Sequence, residues 1–130
     1  MKVVRTIGEL RNWVSVERKQ GLRVGLVPTM GSVHEGHLSL VDVARDHVDS
    51  VVATIFVNPL QFSPKEDFSR YPRDEQADRK LFEMAGVKLL FAPNHEEIFL
   101  RNHSTTVHVG KLGEILEGEI RPHFFVGVAT

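Results

Sequence analysis

The sequence lacks several features that would each indicate a particular class of protein. It contains no cysteine, which excludes disulfide scaffolds, thiol nucleophiles and cysteine-ligated zinc. Sixteen basic residues against 17 acidic ones leave a net charge of -1, so no broad positive field is available for nucleic acid or an anionic membrane. The N-terminus lacks the apolar core of a signal peptide, and the longest uncharged run, residues 50–64, contains Asn58, Pro59 and Gln61. We therefore expect a soluble, cytoplasmic protein with no nucleic-acid or membrane partner.

Alternating apolar strands and amphipathic helices predict an α/β fold. Ile7, Leu10 and Trp13 recur at helical spacing, and a basic last turn followed by Gly21 ends that helix. The predicted buried strands are Arg23–Val27, Val51–Val57 and Val87–Ala92, and the predicted helices that follow the first two are Gly36–Val48 and Asp74–Ala85. This alternation predicts a doubly wound, Rossmann-like parallel sheet in one nucleotide-binding domain over residues 1–130.

The rest of the chain is less regular. Residues 62–73 are polar and interrupted by proline, which predicts a loop. Thr105–Val109 alternates like a strand, and Leu112–Leu116 is interpreted as a short helical turn. Phe124–Thr130 is apolar and has no cap, so we expect the domain to be incomplete, with an element that continues beyond Thr130.

The strongest candidate site lies between the first predicted buried strand and the helix after it, at residues 28–37. Ligands of open α/β sheets bind at the carboxyl ends of strands, and the amides at a helix N-terminus attract phosphate. Gly31 and Gly36 allow the backbone to turn or to approach a ligand closely. His34 and His37 are three residues apart and project from a similar face of the helix, where they can donate hydrogen bonds to phosphate oxygens.

The two histidines also have a structural interpretation. His34 can cap the helix, and His37 can be a half-buried polar residue, which is the commoner fate of such a pair. The zinc signature His-Glu-x-x-His is not met, because the second histidine comes one residue too early. We expect no metal ligation by these residues.

A longer set of motifs carries a family resemblance. A strand followed by His34-Glu35-Gly36-His37 is similar to the signature of the nucleotidylyltransferase and class I aminoacyl-tRNA synthetase superfamily. The lead-in Pro28-Thr-Met-Gly31, the segment Ile55–Phe62 and Tyr71-Pro-Arg73 resemble the pantothenate synthetase family, and the similarity continues through Phe91-Ala-Pro93 and Leu116-Glu-Gly118. The resemblance spans nearly the whole chain.

The resemblance implies a two-step ligation. In that family the carboxylate of pantoate attacks the α-phosphorus of Mg-ATP, which gives pantoyl adenylate and pyrophosphate, and β-alanine then displaces AMP to form pantothenate. It implies ATP and Mg²⁺ as cosubstrate and cofactor, pantoate and β-alanine as partners, and a homodimer. His37 and His34 would be catalytic, with His37 as a proton donor. The implied ATP-binding residues are Met30, Gly31, Ser32, Val33, His34, Glu35, Gly36 and His37.

The implied pantoate and β-alanine site includes Gln61, Asn58, Pro28 and Thr29. Asn58 and Gln61 follow the second predicted buried strand, so we expect them at the same sheet edge as the histidines. A carboxamide offers donors and an acceptor, which suits a substrate with hydroxyls beside a carboxylate. Asn58-Pro59 is equally well interpreted as a strand-ending turn.

Two further segments remain open. Tyr71-Pro72-Arg73 ends a long loop that is either a lid or, as we slightly favour, a solvated connection. His47, His95, His103 and His108 show no partner pattern and are interpreted as surface or structural residues.

The sequence departs from the family in two places. Where the family typically shows Arg-Pro-Gly-His-Phe, this chain has Arg121-Pro-His-Phe-Phe125, so Phe124 occupies the histidine position. If this segment is a strand, His123 faces the opposite side and does not replace that histidine. The family's Gly-x-Lys-Asp-x-Gln-Gln and Ser-Ser-Arg-Asn segments, the second of which acts as a mobile phosphate-binding loop, have no counterpart in these 130 residues.

Two rival functions share the histidine motif. One is a cytidylyl- or adenylyltransferase that acts on a phosphate ester, against which Asn58–Gln61 argues because it adds no cationic cluster for a second phosphate. The other is a nucleotide-binding or assembly module without catalysis.

We expect the purified 130-residue chain to bind ATP or pantoate only weakly and not to complete the ligation, because the family's later phosphate-binding segments are absent from it. The measurement is product formation with ATP, pantoate and β-alanine. Steady production of pantothenate would contradict this expectation.

Overall fold

The computed structural model describes residues 1–63, 68, 71 and 74–130. The strands are β1 (Lys2–Val4), β2 (Val24–Thr29), β3 (Ser50–Ile55) and β4 (Leu89–Phe91). The α-helices are α1 (Ile7–Lys19), α2 (Glu35–His47), α3 (Glu75–Met84), α4 (His95–Ile98), α5 (Glu117–Ile120) and α6 (Phe124–Ala129), with 3-10 helices at Pro59–Gln61 and Gly110–Glu114. No helix in the described part of the chain is both long and apolar enough to span a membrane.

The four strands form one parallel sheet in the order β1-β4-β3-β2. Val51 and Ala53 of β3 pack on one face in a cluster that includes Val41 of α2 and Phe82 of α3. The alternate residue Val52 packs on the other face, in a cluster that α1 covers. Because side chains alternate across a strand, one apolar run serves both faces, and the predicted doubly wound α/β sheet is confirmed.

The chain divides into two compact units. The first comprises Met1–Phe56 and Pro72–Ile98 and contains the sheet with α1 to α4. The second comprises Val57–Tyr71 and Phe99–Thr130 and contains the 3-10 helices at Pro59–Gln61 and Gly110–Glu114 with α5 and α6.

Most predicted elements are confirmed, with boundaries shifted by one or two residues. The short helical turn predicted at Leu112–Leu116 is the 3-10 helix at Gly110–Glu114. The strand β1 was not predicted, because its three residues are too few to show a period. Much of the loop predicted at residues 62–73, including Pro72 and Arg73, lies outside the described residues.

One strand prediction near the C-terminus is wrong. Thr105–Val109 has no regular secondary structure. The amide of Val107 donates to the Thr130 hydroxyl at 3.0 Å rather than to a neighbouring strand, and an alternating pattern without a pairing partner does not make a strand. The segment after His123 is the helix α6, so the argument that His123 faces the opposite side of a strand does not apply.

Gly127 allows α6 to pack directly on the 3-10 helix at Pro59–Gln61. A Cβ at this position would lie 2.2 Å from the carbonyl oxygen of Leu60 and 2.7 Å from the amide nitrogen of Gln61. Backbone atoms cannot rotate away as a flexible side chain can. The 3-10 helix is also tied to α6 through Asn58, whose Nδ2 donates to the Gly127 carbonyl at 2.9 Å.

We expect Gly127→Ala to lower the free energy of unfolding by about 1–3 kcal/mol, because the added methyl group forces two backbone segments apart. The matched control is Gly8→Ala in α1, where nothing lies within 4 Å of the new Cβ and alanine favours the helix by roughly 0.5–1 kcal/mol. Urea denaturation of both variants checks this. Equal stability of Gly127→Ala and the wild type would contradict the close approach.

Candidate active site

The loop between β2 and α2 holds an unusual backbone conformation. Gly31 and Ser32 have φ angles of 85° and 55°, both in the left-handed region. A Cβ on Gly31 would lie 3.0 Å from Oδ2 of Asp78 and 3.2 Å from Cγ2 of Ile55, so glycine is required for space as well as for conformation. Thr29 connects the loop to β3, since its hydroxyl accepts from the Gly31 amide at 3.1 Å and donates to the Thr54 carbonyl at 2.6 Å.

Asp78 of α3 fastens the same loop. Its side chain is almost fully buried, with 4% of the residue exposed. Oδ2 accepts from the Ser32 amide at 2.9 Å and Oδ1 accepts from the Val33 amide at 2.7 Å. Asp78 is not among the site residues predicted from the sequence. One feature of the sequence does indicate its burial. Asp78 lies four residues before the buried Phe82, so its carboxylate is on the core-facing side of the helix.

His34 is the N-cap of α2, as its structural interpretation predicts. Its Nδ1 accepts from the Gly36 amide at 3.1 Å, while Nδ1 of His37 accepts from the His34 amide at 3.4 Å. These amides are therefore already used inside the protein, and Ser32 and Val33 donate to Asp78. The expectation that free backbone amides there receive phosphate is wrong for these four groups, because side chains of the protein occupy them.

Capping determines which nitrogen of each ring carries the proton. A ring nitrogen that accepts a hydrogen bond presents a lone pair, so a neutral imidazole in this arrangement carries its proton on Nε2. The two ring centroids are 4.0 Å apart and the planes are inclined by 41°. The site therefore presents two adjacent Nε2–H donors at the end of α2, where the helix dipole is positive.

The pKa of His37 is lowered from its ordinary value. Burial is the largest cause, the neighbouring His34 acts in the same direction, and the negative charge of Asp78 opposes both. His37 is therefore neutral at pH 7, and it can donate from Nε2 without carrying a full charge.

The other predicted site residues have defined places. Pro28 and Thr29 end β2, and both the donor and the acceptor capacity of the Thr29 hydroxyl are used within the protein. Asn58 belongs to the second unit, where Oδ1 accepts from the Leu60 amide at 3.0 Å. Its turn interpretation is thus what the structure shows. The four histidines interpreted as surface or structural residues, His47, His95, His103 and His108, are exposed.

Gln61 lines a cavity in the second unit. The cavity has a volume of about 560 Å³ and is bordered also by Ser63, Arg121, His123 and Phe124. An Nη2–H of Arg121 donates to the main-chain carbonyl of Gln61 at 2.7 Å. The guanidinium lies 4.6 Å from the centroid of the Phe124 ring. Arg121 was not predicted as a site residue. The aromatic ring at position 124, where the family typically has histidine, therefore stacks with a cation.

Across the described residues, no group of three or more His, Asp or Glu side chains is arranged to hold a metal ion.

We expect an NMR titration to give His37 a pKa below its ordinary value, and His34→Asn to raise it. Asparagine is a good N-cap, so the helix start is retained while the neighbouring imidazole and part of the burial are removed. Because the folded pKa is depressed, this group contributes stability above its unfolded pKa that is lost as the pH falls through the folded value. His47→Asn, at the far end of α2, serves as the control and should leave His37 unchanged. An unshifted His37 in the wild type would contradict the assignment.

Comparison with known proteins shows the family of this chain. The family model described as pantoate-beta-alanine ligase matches residues 2–130. The pantothenate synthetase of Caulobacter vibrioides is 52% identical over 128 residues, which cover 98% of this chain and 45% of that protein. The corresponding enzyme of Moorella thermoacetica is 52% identical over 130 residues, covering 100% of this chain and 46% of its own length.

Solved structures show the same fold. The crystal structure of pantothenate synthetase from Thermus thermophilus superposes with a TM-score of 0.86 at 50% identity, covering 100% of this chain and 46% of that one. The pantoate-beta-alanine ligase of Francisella tularensis, solved in complex with beta-gamma ATP and beta-alanine, has a TM-score of 0.83 at 32% identity over 98% of this chain and 49% of its own. The chain thus spans about half the length of these relatives, and it belongs to the pantoate-beta-alanine ligase family.

Proposed function

We propose that this chain supplies the ATP-binding part of a pantoate-β-alanine ligase, which condenses the two substrates through a pantoyl adenylate and releases pyrophosphate and AMP. The protein acts in pantothenate and coenzyme A biosynthesis, in the cytoplasm and as a homodimer. The observation that carries the proposal is the pair of imidazoles at the start of α2, with both Nε2–H groups directed away from the capping interactions. Family membership and the ATP analogue bound by the Francisella relative support it.

The first step transfers adenylate to a carboxylate. The pantoate carboxylate oxygen forms a bond to the α-phosphorus, and the bond from that phosphorus to the bridging oxygen breaks, so pyrophosphate leaves with the electron pair. Negative charge grows on the leaving group. The donors of His34 and His37 are held in place by capping before substrate arrives, so they stabilise that charge without reorganising.

The depressed pKa of His37 suits this role. A neutral imidazole donates a hydrogen bond from its Nε2–H to the leaving group and keeps the proton, so His37 acts as a hydrogen-bond donor rather than as a general acid. Magnesium would enter with the nucleotide, as Mg-ATP, and would shield the phosphate charge.

The second unit supplies the candidate contacts for pantoate and β-alanine. Gln61 borders the cavity beside Ser63 and Arg121, and its carboxamide offers donors and an acceptor to hydroxyls and a carboxylate. Asn58 holds the 3-10 helix that carries Gln61, since it bonds both to Leu60 and to Gly127. We therefore assign Gln61 as a direct contact and Asn58 as its support.

We expect His37→Ala, in the full-length protein that carries this sequence, to lower pantoate-dependent ATP–pyrophosphate exchange by about 10²–10³-fold, because one preorganised donor to the leaving group is lost. His47→Ala, an exposed residue on the same helix, is the matched control and should retain the wild-type rate. An unchanged rate in His37→Ala would refute the role of this histidine. Exchange that does not depend on pantoate but requires a phosphate ester would instead identify a nucleotidylyltransferase.

A further inference from the structure

Asp78 is a buried charged residue that takes no part in the chemical steps described above. It lies inside α3, yet its carboxylate bonds to backbone amides 46 and 45 positions earlier in the chain. A buried carboxylate is costly unless hydrogen bonds and charge compensate for its lost hydration. Two charge-assisted hydrogen bonds of 2.9 and 2.7 Å provide that compensation here.

The geometry requires a carboxylate rather than any polar side chain. Both oxygens act as acceptors, one for Ser32 and one for Val33. An asparagine of the same shape would present an NH₂ group to one of these N–H donors, so one acceptor would be replaced by a donor. The loop also approaches the carboxylate closely, because a Cβ added to Gly31 would lie only 3.0 Å from Oδ2.

The loop that Asp78 holds is strained. Ser32 has a φ of 55° although it carries a Cβ, and such a conformation persists when surrounding contacts determine it. The hydrogen bond from the Ser32 amide to Asp78 is one such contact. Val33 donates to the other oxygen and is followed directly by His34, the N-cap of α2. The carboxylate thus determines where the backbone enters the helix and where both imidazoles begin.

We propose that Asp78 is a positioning residue of the ATP site: its carboxylate holds the backbone of Ser32 and Val33 so that His34 and His37 keep the paired geometry that presents both Nε2–H groups to phosphate. This inference rests on the proposed function only in naming ATP as the ligand. Asp78 acts through the loop and does not itself contact the nucleotide.

The test compares two aspartates of the same helix in the 130-residue chain. Asp78→Asn removes the second acceptor, whereas Asp74→Ala removes the N-cap of α3, which accepts from the Ala77 amide at 3.0 Å, and so destabilises the helix without touching the loop. Long-range ¹H–¹⁵N spectra report the tautomer of each imidazole, and an NMR titration with Mg-ATP reports affinity. We expect Asp78→Asn to weaken Mg-ATP binding at least tenfold and to lose the uniform Nε2–H tautomer, while Asp74→Ala keeps both.

A second variant keeps the test decisive if Asp78→Asn does not fold. Gly31→Ala retains the carboxylate but pushes a methyl group against Oδ2, and it should give the same loss of tautomer and affinity. Wild-type spectra and affinity in the folded variants would overturn the proposal, as would an equal loss in Asp74→Ala, which would reveal general destabilisation. A complete lack of Mg-ATP binding by the wild-type chain, in place of the weak binding expected of these 130 residues, would contradict the proposed function, whereas the histidine spectra would still decide the role of Asp78.

Discussion

The two hydrogen bonds from the Ser32 and Val33 amides to the buried Asp78 carboxylate are the constraint on which the candidate site depends. They connect the interior of α3 to the loop that leaves β2, and they lie directly before the helix that carries both histidines. The same contact favours glycine at position 31, because an added Cβ would lie 3.0 Å from Oδ2. A single buried charge thus explains the glycine, the strained serine and the position of the helix start.

Structural and chemical roles coincide in the histidine pair. Capping uses Nδ1 of each ring, and this use is what leaves the Nε2–H of each ring as a donor. The interpretation of His34 as a helix cap and its interpretation as a phosphate donor are therefore compatible, since each uses a different nitrogen. The lowered pKa of His37 follows from burial and from the proximity of the second imidazole, both of which come from the same packing.

In the second unit, a close approach between two backbone segments supports Gln61. Gly127 lets α6 approach the backbone at Leu60. Asn58 then donates a hydrogen bond to the Gly127 carbonyl, and Arg121 donates one to the main-chain carbonyl of Gln61. The residues at positions 121–127 therefore support the 3-10 helix that carries Gln61. This arrangement also gives the departure at Phe124 a physical context, since its ring stacks against the Arg121 guanidinium rather than presenting a polar group.

The sequence by itself determined the parallel sheet, the places of α1, α2 and α3, and the candidate motif at residues 28–37, because apolar periodicity, glycine caps and strand-ending prolines are local signals. It could not determine the partners of polar groups. Thr105–Val109 has the alternation of a strand but lacks one to pair with, and Asp78 looks like one more charge on a helix until the loop from β2 meets it. The tertiary structure decided these points, since burial, hydrogen-bond satisfaction and the tautomer of an imidazole depend on groups that are distant in sequence and adjacent only in the fold.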